Sequence, residues 1–191
     1  MKKLGCPLAI VVAAGLSALV ALAYRQFAIR TEMGFESPML FVSTGPGIGN
    51  HAQFVTSGFQ DRGISLFVSP AIESQAAPVL VAHLEIDRNL FDSAVWSGDG
   101  TVIACRRKTD LHEDLYCYAY DFVQCKPLMP NGVSASSIDL GSPIDWHAHS
   151  SMVRQLIASR GGLGPRVTRG DIEAGSRKMD WTQWQAYKRK N

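Results

Sequence analysis

Between Pro7 and Ala23 the chain carries no charged side chain, and Leu8, Ile10, Val11, Val12, Leu16, Leu19, Val20 and Leu22 leave the run without a polar face. A core helix in a small domain normally keeps such a face, so burial at the start of a cytosolic fold explains this run poorly. Lys2 and Lys3 stand before it and small residues at Ala21 and Ala23 close it, the arrangement of an export signal. Its length lies between the roughly 7–15 residues of a signal core and the about 20 of a spanning helix. Cleavage after Ala23 and retention as a single-pass anchor therefore both fit. The amino-terminal lysines favour a cytoplasmic start, with the rest of the chain on the periplasmic side of the inner membrane, anchored or released. Cys6 precedes the apolar run, whereas a lipidated cysteine would follow it.

Residues 24–37 read as a juxtamembrane stalk, and beyond them the pattern changes to short apolar runs broken by turn residues. Strands are expected at 39–43, 53–56, 64–69, 79–86, 93–96, 101–106 and 115–122. Asp99-Gly100, between two apolar runs, is a strong hairpin signal because the turn needs residues that tolerate positive φ. Tyr116, Tyr118, Tyr120 and Phe122 alternate with Cys117 and Ala119, which places the aromatic rings on one face of a strand. Pairing 101–106 with 115–122 around a loop near Leu111 sets Cys105 opposite Cys117, a register open to a cross-strand disulfide. Cys117 with Cys125 is the other choice.

After a Pro/Gly/Ser-rich stretch at 127–143 the spacing turns helical. Ser142-Pro143-Ile144-Asp145 starts a helix that should run to about Arg160, with Gly161-Gly162 closing it. Trp146, His149, Val153, Leu156 and Ile157 form its apolar stripe. A short helix is expected near 171–175, and a last one from Asp180, which has capping-box spacing to Gln183. The fold class implied is α+β: an antiparallel β-meander sheet with C-terminal helices, preceded by one N-terminal transmembrane or signal helix. Residues 38–191 make a single domain, β-rich over 38–126 and helical over 142–191.

Charge adds an asymmetry. From Arg154 onward there are nine Lys/Arg and three Asp/Glu, whereas residues 24–153 carry a net charge of −6. So modest a basic excess, confined to the end, is not a nucleic-acid binder's field. Exposed acids at Asp110, Glu113 and Asp114, read as a loop tip, and Trp181 and Trp184 on the last helix are the candidate partner-binding residues. The cysteine spacings match no zinc site. Asp145-Trp-His147-Ala-His149 is the most metal-like cluster, and an exported metal-dependent hydrolase would use His147 and His149 with His51, His83 or His112. On a helix, however, residues two apart point about 200° from each other. The Gly45-Pro-Gly-Ile-Gly49 loop lacks the Lys-Ser/Thr of a phosphate loop and reads as a turn. No nucleophile elbow, cofactor motif or repeat of 20–50 residues is found in the sequence.

Ala94-Val-Trp-Ser-Gly-Asp-Gly-Thr-Val-Ile-Ala104, followed by Leu115-Tyr-Cys-Tyr-Ala-Tyr-Asp121, resembles one blade of a TolB-type β-propeller. Trp96, Ser97, Asp99, Gly100, Ile103 and Ala104 carry the likeness, and Gly98 stands where that family usually has proline. A propeller needs at least about four blades, so the resemblance implies a blade-like meander inside another small fold, and no activity. The general layout, a short leader and a small β-rich body, also resembles periplasmic immunity proteins that neutralise type VI secretion lipase effectors. The function expected is therefore non-enzymatic: an envelope protein that binds a protein partner, in the specific case a secreted toxic effector, and needs no cofactor.

Overall fold

The computed structural model describes residues 5–36, 38–56, 63–71, 78–85, 91–108, 114–130 and 145–188; the side chains of residues 5–13, 30, 32–36, 84, 85, 108, 114 and 188 lie outside that description. The chain divides into two compact units, Met1–Ser37 and Pro38–Asn191.

The first unit holds one helix, α1 (Gly5–Glu36), about 48 Å long at 1.5 Å per residue. It is continuous through Ala23 and through the segment read as a stalk. Within its own unit the described part leaves Leu16, Leu19, Val20, Leu22, Tyr24 and Phe27 exposed. Among the described residues no helix is long and apolar enough to cross a membrane. The side chains of Leu8, Ile10, Val11 and Val12, in the first half of the apolar run, lie outside the described residues.

The second unit is α+β, with two antiparallel sheets where the sequence led us to expect one. The first five-stranded sheet comprises β1 (Met39–Thr44), β2 (His51–Thr56), β3 (Gly63–Ser69), β4 (Val79–Glu85) and the two-residue β10 (Arg177–Lys178), in the order β10-β1-β2-β3-β4. The second comprises β5 (Ser93–Ser97), β6 (Val102–Lys108), β7 (Asp114–Asp121), β8 (Lys126–Leu128) and β9 (Leu163–Thr168), in the order β8-β7-β6-β5-β9. Ala52, Phe54, Ile64, Leu66 and Val68 of the first sheet share one core with Ala94, Trp96, Ile103, Tyr118, Tyr120 and Phe122 of the second. Trp96 sits at its centre, fully buried, stacked on Phe122 at 5.8 Å and donating its indole N–H to Ser43 Oγ at 3.0 Å.

Helices cover the outer faces. α2 (Trp146–Ser159) lays Val153 and Ile157 on Val95, Val102, Ala104, Tyr116 and Ala119 of the second sheet. α3 (Arg169–Gly175), with a capping box between Thr168 and Asp171, sends Ile172 into the core. α4 (Trp181–Lys188) begins with the Asp180–Gln183 capping box, each residue's side chain meeting the other's backbone N–H. Its Tyr187 packs edge-on against Phe67 at 4.7 Å and donates to Gln53 Oε1 on the outer face of the first sheet. The cap of α2 is Asp145, whose Oδ1 accepts the Ala148 N–H at 2.9 Å; Ser142 and Pro143, read as the start, lie outside the described residues.

Three expectations need correcting. The aromatic alternation of β7 is broken by a bulge: Cys105 pairs with Tyr118 but Arg106 pairs with Tyr116, so Cys117 is the extra residue. Tyr118, Tyr120 and Phe122 therefore face the core while Tyr116 turns to α2. The same slip removes the register on which a Cys105–Cys117 bridge was drawn, and Cys105, Cys117 and Cys125 are free thiols. Finally, the region after α2 is not wholly helical, because β9 adds to the edge of β5 and β10 to the edge of β1.

Candidate functional site

Four turns meet at one end of the two sheets, joined by backbone hydrogen bonds and by the Asn50 side chain. In the β1–β2 turn Gly45 N–H donates to Asn50 O at 2.7 Å, while Asn50 Nδ2 reaches across to Gly100 O at 3.0 Å. Gly98 and Asp99 in the β5–β6 turn donate to Gly162 O and Arg160 O of the α2–β9 turn, at 2.8 and 3.1 Å. Phe122 N–H, at the start of the β7–β8 turn, donates to Thr101 O at 2.9 Å.

Glycine permits this closeness. A Cβ on Gly100 would lie 2.0 Å from Pro46 O, one on Gly98 2.3 Å from Gly161 O, and one on Gly45 2.8 Å from the Trp96 ring. Gly98 also gives its backbone N–H to Gly162 O, a bond that proline at this position could not make.

Side chains brace the same turns. Asp99 Oδ1 accepts from Ser97 Oγ, Thr101 N and Thr101 Oγ1 at 2.7, 3.0 and 2.7 Å. Burial pulls the Asp99 carboxyl upward, but these hydrogen bonds and the Arg160 charge outweigh it and hold the group below its ordinary value of 3.8. Asp121 Oδ1 accepts the Val123 and Gln124 N–H groups, and its Oδ2 lies 3.8 Å from Arg160. On this braced platform three apolar side chains stay exposed, two from turns and one from the first residue of β9: Ile48 at 54%, Val123 at 57% and Leu163 at 70%. Such a surface offers preorganised contact area rather than acid–base chemistry.

A second feature lies where α2 meets β7. Beside the bulge α2 takes up two backbone groups of β7: Ser150 Oγ accepts the Tyr116 N–H at 3.0 Å, and the His149 ring donates to the Cys117 carbonyl. His149 is buried, and burial drives its imidazole below 6.5, against the smaller upward pull of that hydrogen bond. Burial likewise pushes the Cys117 thiol up to about 11, although the Arg107 charge acts the other way.

Of the candidates read from the sequence, His147 is exposed and His149 is buried, with its Nδ1 engaged by Cys117. His51 contacts Thr44 and His83 contacts Ser65 on the first sheet, while His112 lies outside the described residues. Among the described residues no three His, Cys, Asp or Glu side chains are placed to hold a metal ion. Asp110 and Glu113 lie outside the described residues, and Asp114 starts β7, opposite Lys108, rather than sitting in a loop tip. Trp184 is buried, 5% exposed, and anchors α4 to the domain; Trp181 is half-buried. The turn end was missed because its parts are about 115 residues apart in sequence. The only signal was the gathering of glycines at 45–49, 98–100 and 161–164.

No protein-family model matches the chain. No curated protein and no solved structure is significantly similar to it either.

Proposed function

We propose that this chain is a binding protein of the cell envelope, attached to a membrane through α1 and meeting a protein partner at the turn end of its second unit. The observation that carries the reading is the platform of four hydrogen-bonded turns from which Ile48, Val123 and Leu163 project. Exposed apolar groups on a stiff frame lose little conformational entropy on association. Attachment is supported by α1, whose exposed apolar side chains call for an apolar surrounding. In its specific form the reading is immunity, the partner being a secreted toxic effector met on the periplasmic side. The net −6 of residues 24–153 suits a basic partner surface.

The test is co-purification of the full chain from envelope extract, with Ile48→Asp and Leu163→Asp beside Met152→Asp, an exposed apolar position on α2. One stoichiometric partner, lost with the first two variants and kept with the third, is the expected result. A partner retained by all three, or none with the parent chain, ends the proposal.

A further inference from the structure

We propose that His149 makes the docking of α2 on β7 acid-sensitive: neutral, it clamps the first turns of the helix to the bulge, and protonated it releases them and uncovers the outer face of the second sheet. The geometry of the imidazole carries this. Its residue is 6% exposed, one ring nitrogen is given to the Cys117 carbonyl, and Nε2 is buried with no hydrogen-bond partner. Neutral imidazole tolerates that arrangement, whereas a proton on Nε2 would be a buried cationic donor without an acceptor.

Nothing described around the ring would compensate the charge. On α2, Asp145 is exposed and uses Oδ1 to cap the Ala148 N–H, His147 is exposed, and Arg154 lies over the Tyr116 ring at 5.9 Å. His149 also sits in the first turn of its helix, where the backbone dipole opposes a cation. From β7 come the Tyr116 and Tyr118 phenols and the Cys117 thiol; burial raises the latter two groups, so they stay neutral across this range. From β6 come the buried Cys105 thiol, held neutral in the same way, Arg106, which is bound to Asp92, and Arg107, a cation acting on Cys117. The Asp114 side chain lies outside the described residues.

Release would break the Ser150–Tyr116 bond at the same junction, and Tyr116, Val95, Val102, Ala104 and Ala119 would lose their cover. An acid medium thus becomes an exposed apolar sheet face. The device does not depend on what meets the turn end.

The experiment follows the His149 imidazole and the Tyr116 amide by NMR in the full chain in micelles, from about pH 8 to about pH 5. His149 should titrate below the free-imidazole value of about 6.5. The opening equilibrium of Tyr116, corrected for intrinsic exchange, should rise about tenfold per pH unit below about 6.5 until the docked ring itself titrates. His149→Asn, whose amide can still donate to Cys117 but does not titrate, should remove that slope. A His149 that titrates at or above about 6.5, or the same slope in the variant, overturns the proposal. Should the variant fail to fold, the ring titration in the parent chain decides alone.

Discussion

The two ends of α2 are held to the same sheet by different means. At its C-terminal end, the Arg160–Gly162 turn meets the β5–β6 turn backbone to backbone, through glycines on both sides. At its N-terminal end, the side chains of His149 and Ser150 meet backbone groups of β7 beside its bulge. The first junction is made by uncharged backbone groups and leaves no room for a Cβ on Gly98. The second accepts similar side chains but answers to protons. A helix fixed by backbone at one end and by titratable side chains at the other has a built-in direction in which to come loose.

Three glycine substitutions dissect the turn end, Gly98 and Gly162 at the α2 junction and Gly100 against the β1–β2 turn, and they carry the largest effects expected. Gly100 combines a φ of +70° with a Cβ site 2.0 Å from Pro46 O, so Gly100→Ala should cost about 3–5 kcal/mol, strain and overlap together. Gly98 suffers overlap alone, 2.3 Å from Gly161 O, and Gly98→Ala should cost about 1–3 kcal/mol. Gly162 has a φ of +76° with nothing within 4 Å, leaving only strain of about 1–2 kcal/mol for Gly162→Ala. Urea unfolding of the full chain gives the order. Equal losses for all three would mean that close backbone contact does not hold this end together.

Ser150→Ala tests the other junction. It removes the Ser150 acceptor from the Tyr116 N–H, which should cost about 1–3 kcal/mol and accelerate exchange of that amide while the turn-end amides keep their protection. Uniform loss of protection at both ends would show α2 docking as one unit, and the contrast drawn above would fail.

Acid should loosen the molecule in two separate windows. The folded-state His149 value is depressed, so the unfolded chain binds the extra proton, and the stability is complete above about 6.5 and declines as pH falls below it. Asp92 behaves differently. Burial raises its carboxyl, but hydrogen bonds from Arg106 and Ser93 and the charges of Arg106 and Arg166 prevail and hold it below 3.8. Its contribution is complete above about 3.8 and is lost as pH falls through the lower folded value. This carboxylate ties β6 and β9 to the start of β5, with Arg106 at 2.7 Å and Arg166 at 2.6 Å. Asp92→Asn should make the acid limb of a thermal-melting series shallower, with the Asp99 share remaining, and leave the His149 limb unchanged. A change in both limbs would mean that the two groups titrate together.

What was legible in the sequence follows the same division. Local chemistry could be read: the Asp99-Gly100 hairpin, the glycine stop of α2 and the Asp180–Gln183 cap all formed as their residues require. Long-range fit could not. The bulge at Cys117 has no signature in a strand that alternates perfectly, because it is set by pairing with β6. β9 contains Gly164 and Pro165 and so looks like a loop; it becomes a strand only as an edge partner of β5, where proline is tolerated. β10 is two residues long and owes its existence to Met39 and Leu40. The turn end was visible only as glycine composition, without a hint that the three loops touch.

The smallest effects on stability are expected where function is proposed. Ile48 and Val123 project from turns, and Leu163 from the start of β9, where the hydrogen bonds are made by backbone and by Asn50, Asp99 and Asp121, not by these side chains. Replacing any of them with aspartate should therefore shift unfolding by no more than about 0.5 kcal/mol, as for surface positions away from caps and cores. A partner anchored on the same apolar groups would lose far more, on the order of 2 kcal/mol per anchor, because a carboxylate would be buried where no donor awaits it. Stability and association thus separate at the turn end, whereas the glycine variants, which disturb the frame itself, should lower both. An aspartate variant that unfolds the domain as severely as Gly98→Ala would mean that these side chains serve the frame, and the turn end would have to be reassigned from recognition to structure.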